Sequence, residues 1–202
     1  MIDIIGPKQF KTIPWKNGLG ETTELAINEL ANLDNFIWRM SIASVVEDGV
    51  FSDFSGYYRN LVLIEGEGIS LEHDAKSVDN LVNLLDVASF DGGCKTQGLL
   101  THGPIKDFNI ITDKSKVTTK VDCYVDENQV TVTLSKSALC FVYSLSDVTS
   151  ITASQQDDAE LPAGSLAKIS QTELEFGSQD FWVRVKGKNM IIIQLEIEDL
   201  EK

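Results

Sequence analysis

The chain has 202 residues, 43% of them hydrophobic and 24% charged, with a formal net charge of −14. That balance suits one large or two small globular domains that bury roughly 70% of the unfolded surface. The acidity repels phosphate backbones and anionic bilayers, so neither nucleic acid nor a membrane is an expected partner, and a basic pocket would be conspicuous.

The opening residues, MIDIIGPKQF, lack the basic and apolar regions of a secretory signal, and no run of about 18 apolar residues occurs. The expected location is the cytoplasm. Cys94, Cys123 and Cys140 are odd in number and have no CxxC spacing, which fits reduced structural thiols.

The first informative stretch is PWKNGLGETTEL, Pro14 to Leu25. Asn17-Gly18 is a strong hairpin signal, and Gly20 eases a further unusual backbone position. A bend alone leaves Trp15, Lys16, Thr22 and Glu24 unexplained. Next, FIWRMSIASV alternates, with Phe36, Trp38, Met40 and Ile42 on one face and Ile37, Arg39, Ser41 and Ala43 on the other.

YRNLVLIEGEGISLEH, which opens beside Arg59, reads as two strands joined in a hairpin at Glu65-Gly66-Glu67-Gly68. Ser77 to Leu85, SVDNLVNLL, suggests a helical turn or two. In KDFNIITD, Asp107 and Asn109 share a face while Phe108 and Ile110 take the other. Strand-like runs continue to NMIIIQLEIE, rich in valine, isoleucine, threonine and aromatics, and the whole reads as an all-β sandwich or barrel.

LVLIEGEGISLEH from Leu61 and FVYSLSDVTSITA from Phe141 share one strand–turn–strand rhythm 80 residues apart, as two barrels in tandem would give. The seam is expected in the polar stretch Asp113 to Lys120. Residues 1–116 then form a first barrel and 117–202 a second, packed as one body.

Two histidines, His73 and His102, offer neither HxH nor HxxxH, so no metal and no other cofactor is expected. No GxSxG elbow or phosphate loop is present. The polar residues inside strand patterns say more. An arginine between small apolar residues must expose its face or be paired, because an unpaired buried charge costs several kcal/mol, roughly. Arg39 paired with Glu24 or Asp107 would brace a barrel. A pocket in which arginine and lysine grip a carboxylate, with Thr22, Ser41 and Asn109 fixing orientation, fits equally.

PWKNGLGETTEL, FIWRMSIASVVEDGVFSDFSGYYRNLVLIEGEG, FDGG and GPIKDFNIIT, in that order and spacing, resemble the HutD/Ves family. The likeness covers about Met1 to Lys114. It implies a cupin-type (RmlC-like jelly roll) bicupin without a metal. It also implies a role connected with histidine utilisation, through a formyl- or formimino-glutamate-like intermediate, or with stress response. Carried onto this chain, the motif positions are Trp15, Lys16, Asn17, Thr22, Glu24, Arg39, Ser41, Arg59, Asp107 and Asn109, with Phe51 and Ser52 beside them. Leu19 stands where many relatives have glycine, and Ile111 and Asp113 where methionine and arginine are expected.

Three readings stand at this point. The first is a metal-independent, non-enzymatic and regulatory binder of a small acidic metabolite, held by Lys16, Arg39 and Arg59. The second is a metal-independent isomerase or hydrolase with Glu24 or Asp107 as base, although a carboxylate beside arginines is expected to stay ionised and be a poor base. The third is a protein-interaction module. Exposed barrel edges commonly pair, which admits a homodimer.

Overall fold

The computed structural model describes residues 1–15, 20–31, 35–154, 156–171 and 181–198. Among these, nineteen strands and one 3-10 turn form, and no α-helix. The period-two alternation of branched and aromatic residues explains the outcome, since such side chains suit a pleated surface with at least one buried face. The chain divides into two compact units, Phe10–Ser115 and Met1–Gln9 with Lys116–Lys202.

Unit Phe10–Ser115 has a six-stranded sheet ordered β2 (Lys11–Pro14), β3 (Gly20–Ile27), β4 (Trp38–Val45), β11 (Ile105–Asp113), β6 (Tyr57–Glu65) and β9 (Val87–Asp91). Its four-stranded sheet runs β5 (Gly49–Val50), β10 (Thr96–Leu100), β7 (Ile69–His73) and β8 (Ser77–Leu81). Leu61, Leu63 and Ala88 from the first sheet and Ile69, Leu71 and Leu81 from the second share one hydrophobic core. All pairings are antiparallel.

The other unit repeats the scheme. Its larger sheet is ordered β1 (Ile2–Ile5), β17 (Ser165–Ser170), β14 (Ala138–Ser144), β19 (Met190–Ile197) and β12 (Val117–Tyr124). The smaller is β13 (Asn128–Leu134), β18 (Phe181–Gly187), β15 (Thr149–Ala153) and β16 (Ala159–Leu161). Adding eight to each strand of β4-β11-β6-β9 and β5-β10-β7-β8 gives β12-β19-β14-β17 and β13-β18-β15-β16, so the two units share one topology. Ile69 and Thr149 open equivalent strands 80 residues apart. The hydrophobic core of this unit has Cys140, Val142, Ile151, Leu161, Ile169 and Val183 at its centre.

Two sequence expectations are corrected. Strands β6 and β7 flank Glu65 to Gly68 but do not pair: β6 bonds β11 and β9, while β7 bonds β10 and β8. The turn carries the chain between sheets, and at Gly66 (φ +102°) an added Cβ would lie 2.7 Å from the carbonyl oxygen of Pro104. Ser77 to Leu81 is strand, not helix, because β8 ladders along β7 from His73–Ser77 to Ile69–Leu81. A nonlocal partner overrides weak local propensity.

Candidate functional site

Register aligns the polar residues of the six-stranded sheet into three rows on the face that meets the four-stranded sheet. Arg39, Ile111, Arg59 and Phe90 form one row across β4, β11, β6 and β9. Glu24, Ser41, Asn109 and Leu61 form the next, across β3, β4, β11 and β6. Thr22, Ala43, Asp107 and Leu63 form the third. Thr22 and Glu24 share the polar face by the period of two, and the register shifts after them, between Glu24 and Ala26, where Leu25 is buried.

Each arginine is held differently. Arg39 donates from Nε to Oε2 of Glu24 at 2.9 Å, the internal ion pair that the sequence admitted. Arg59 donates from Nη2 to Oδ1 of Asn109 at 2.6 Å and reaches the carbonyl of Ser52 at 3.5 Å. Its guanidinium lies 5.2–5.4 Å from the ring centroids of Phe51, Phe54 and Phe90, an aromatic cage that favours a cation. Asn109 in turn donates from Nδ2 to Oδ1 of Asp107. The two ends fix the amide: its carbonyl meets the cation and its NH2 the carboxylate.

Burial dominates the electrostatics. Asp107 is 0% exposed and Arg59 4%. Desolvation pushes the Asp107 carboxyl up to about 7, partly offset by the Arg59 charge and the Asn109 hydrogen bond. Desolvation likewise lowers Arg59 to about 10, with Asp107 opposing and Arg39 adding to the fall. The expectation that a carboxylate beside arginines stays firmly ionised is thus weakened for Asp107, because loss of water outweighs attraction across an intervening amide.

These residues open onto a cavity of about 630 Å³, within the range of small-molecule sites. Trp15, Thr22, Arg39, Ser41, Arg59 and Asn109 line it. Trp15 is fixed by its Nε1 donating to Oγ1 of Thr22 at 2.7 Å and its backbone N–H donating to the carbonyl of Gly20 at 2.9 Å. Gly20 allows this closeness: an added Cβ would sit 2.2 Å from the carbonyl oxygen of Ser44 and 2.9 Å from the Trp15 ring.

Among the positions singled out from sequence, Glu24 and Asp107 stand behind the wall, each touching a residue that lines it. Lys16 and Asn17 lie outside the described residues. Sequence reasoning did not place Phe54, Glu47, Asp48 or Ile13 at the cavity. The Phe51/Phe54 spacing in FSDF was the available signal, an aromatic pair in a loop with no strand face to bury it. His73 is buried away from this lining, between Thr96 Oγ1 at 2.9 Å and Asp79 Oδ2 at 3.1 Å. Among the described residues no group of three His, Cys, Asp or Glu side chains could hold a metal ion.

Two jelly-roll-like sandwiches of one topology, the first with an arginine-lined cavity, define a cupin-type protein. A cupin 2 conserved barrel domain protein from Leptotrichia buccalis superposes with a TM-score of 0.52 at 8% identity, over 93% of this chain and 89% of that one. The chain belongs to the HutD family, whose model matches residues 7–190.

It is 36% identical over 110 residues to an uncharacterized 21.2 kDa protein in the hutC 3' region of Pseudomonas putida, covering 54% of this chain and 57% of that protein. It is 34% identical over 131 residues to protein Ves of Escherichia fergusonii, covering 64% and 66%. The chain therefore matches less than two thirds of the length of either relative. The structure of HutD from Pseudomonas fluorescens SBW25 (formate condition) superposes with a TM-score of 0.80 at 25% identity, over 98% of this chain and 100% of that one. A conserved protein of unknown function, PA5104 from Pseudomonas aeruginosa PAO1, gives 0.84 at 25% over the same shares.

Proposed function

We propose that the protein binds a small acidic metabolite in the cavity of its first unit, without turning it over, and that this binding serves a regulatory role. One observation carries the reading: two arginines held in fixed orientation line the same cavity. Glu24 engages only Nε of Arg39, and among the described residues neither Nη group of Arg39 makes a hydrogen bond. Those donors are available to a carboxylate, which would gain roughly 1.5–3 kcal/mol per charge-assisted bond. Ser41 and Thr22 supply polar contacts beside them. Family membership puts formyl- and formimino-glutamate first among candidate ligands.

The enzymatic reading draws less support. Asp107 has the proton affinity of a general base, yet it is fully buried and Asn109 stands between it and Arg59. A base must reach the proton it removes.

Isothermal titration with N-formyl-L-glutamate and formimino-L-glutamate at pH 7 tests the proposal. Saturable binding is expected with a Kd on the order of 1–100 μM, weakened at least tenfold in Arg39→Ala. Chromatography of the incubated mixture should return the compound intact. Absence of binding by both compounds, or their conversion, would overturn the reading.

A further inference from the structure

Asp107 lies on the central strand β11 with Ala43 and Leu63 as its lateral neighbours, and only one of its oxygens is engaged. Oδ1 accepts from Asn109, while Oδ2 is buried and has no hydrogen-bond partner among the described residues. The groups facing it can be named element by element. β6 brings Arg59, β4 brings Arg39, and β3 brings Glu24, which is paired with Arg39. From the opposing sheet, β7 brings apolar Ile69 and Leu71, and then His73 at its end, held by Thr96 and Asp79. On β9, Phe90 lies between Arg59 and His73, its ring centroid 4.4 Å from that of His73 and 5.3 Å from the Arg59 guanidinium.

Among the described residues the interior holds two arginines against two carboxylates, Glu24 and Asp107, hence neutral when Asp107 is ionised, and the exposed Glu47 and Asp48 on the cavity lining add no positive charge. An incoming anion would leave the cluster one unit negative in a poorly solvated space, which is costly. Among the described residues, the unpartnered buried oxygen of Asp107 is placed to absorb that charge. Resting on the reading of the cavity as an anion site, we propose that an anion seated against Arg39 and Arg59 is bound together with one proton, taken from solvent onto Oδ2 of Asp107. Only an O–H bond forms, and the Asn109 contact to Oδ1 is kept.

The existing balance at Asp107 supports this. Burial already brings its carboxyl to about 7, and the Arg59 charge is the largest influence holding it down. An anion on Arg59 offsets that influence and raises Asp107 further, so the complex holds more proton than the free protein near neutrality. Affinity is then highest and level below pH 7 and falls as pH rises, at most tenfold per pH unit, until the bound-state value is passed.

The test is calorimetry of the full chain with N-formyl-L-glutamate and with formate, at pH 5 and pH 8, in pairs of buffers with different ionisation enthalpies. Uptake approaching one proton is expected at pH 8 and close to none at pH 5, with affinity weaker by roughly tenfold at the higher pH. Asp107→Asn should bind without uptake and without this pH dependence. Because that variant could fold poorly, the carboxyl carbon of Asp107 is also followed by 13C NMR in the wild type, where its midpoint should rise on saturation. Binding without proton uptake, or an Asp107 signal unmoved by saturation, overturns the linkage and leaves the anion site standing. No binding of either probe overturns the anion site itself and the linkage with it.

Discussion

Arg59 and Asn109, fifty residues apart in sequence, sit on adjacent strands with Nη2 of the arginine donating to Oδ1 of the amide at 2.6 Å. The same amide donates to Asp107, so one neutral side chain joins a buried cation to a buried carboxylate. Asn109→Leu keeps the volume and removes both bonds. Arg59 would retain its aromatic cage and the long contact to Ser52, while Asp107 would lose its hydrogen bond. Uncompensated buried polar groups of this kind cost about 2–4 kcal/mol. Urea unfolding at pH 7 should give a loss of that size, and a change under about 0.5 kcal/mol would mean that the relay contributes nothing to the fold.

Glu24 tempers Arg39. Glu24→Gln retains an acceptor for Nε and removes a negative charge from beside the cavity. Its side chain is partly exposed, so stability should change by less than about 1 kcal/mol. Anion affinity should instead rise roughly threefold or more, because the guanidinium is no longer neutralised. Titration of this variant beside the wild type decides the matter. Weaker binding would make Glu24 a residue needed to position Arg39 rather than one that restrains it.

Much of this site was legible because a strand has a period of two. Parity alone put Arg39 with Ser41 and Asp107 with Asn109 on common faces, and Thr22 with Glu24 on a third. The 80-residue rhythm anticipated the repeated topology for the same reason: equivalent strands need equivalent patterns. Parity says nothing about which strand lies beside which, so the contact of Arg59 with Asn109 could not be read. The misplaced hairpin at Glu65 to Gly68 has the same origin, since a glycine turn between strands looks alike whether the chain stays in one sheet or crosses to the other. The raised proton affinity of Asp107 depends on total burial, which emerges only when β11 is enclosed by β4, β6 and the opposing sheet.

Gly20 tests how tightly the Trp15 wall is built. Gly20→Ala must move both the β4 backbone at Ser44 and the Trp15 ring relative to residue 20, since its Cβ would sit 2.2 Å from the Ser44 carbonyl oxygen and 2.9 Å from the ring. Overpacking of this kind costs about 1–3 kcal/mol. The ring is displaced along with the strand backbone, so its bond to Thr22 should break and its environment become wetter. A red shift in emission is expected, and it should vanish in the Trp15→Phe background, which removes this tryptophan from the three in the chain. An unchanged spectrum with unchanged stability would show that the wall accommodates a methyl group without cost.

Asp107 makes the fold itself sensitive to pH, and the sign follows from the direction of its shift. Its carboxyl rises from 3.8 to about 7 on folding, because burial disfavours the charged form. The stability supplied by its neutral form is therefore fully present below pH 3.8 and is lost progressively as pH rises through about 7. At 1.36 kcal/mol per unit the loss amounts to about 4 kcal/mol by pH 8. Asp107→Asn is neutral throughout, so the stability difference between variant and wild type should move in favour of the variant by up to that amount between pH 4 and pH 8. Comparing that difference across pH cancels any constant effect of the new amide, including its altered contact with Asn109. Urea unfolding of both proteins at pH 4, 6 and 8 measures it. Parallel profiles would mean that Asp107 is ionised in the folded protein across the whole range, with Arg59 outweighing its burial.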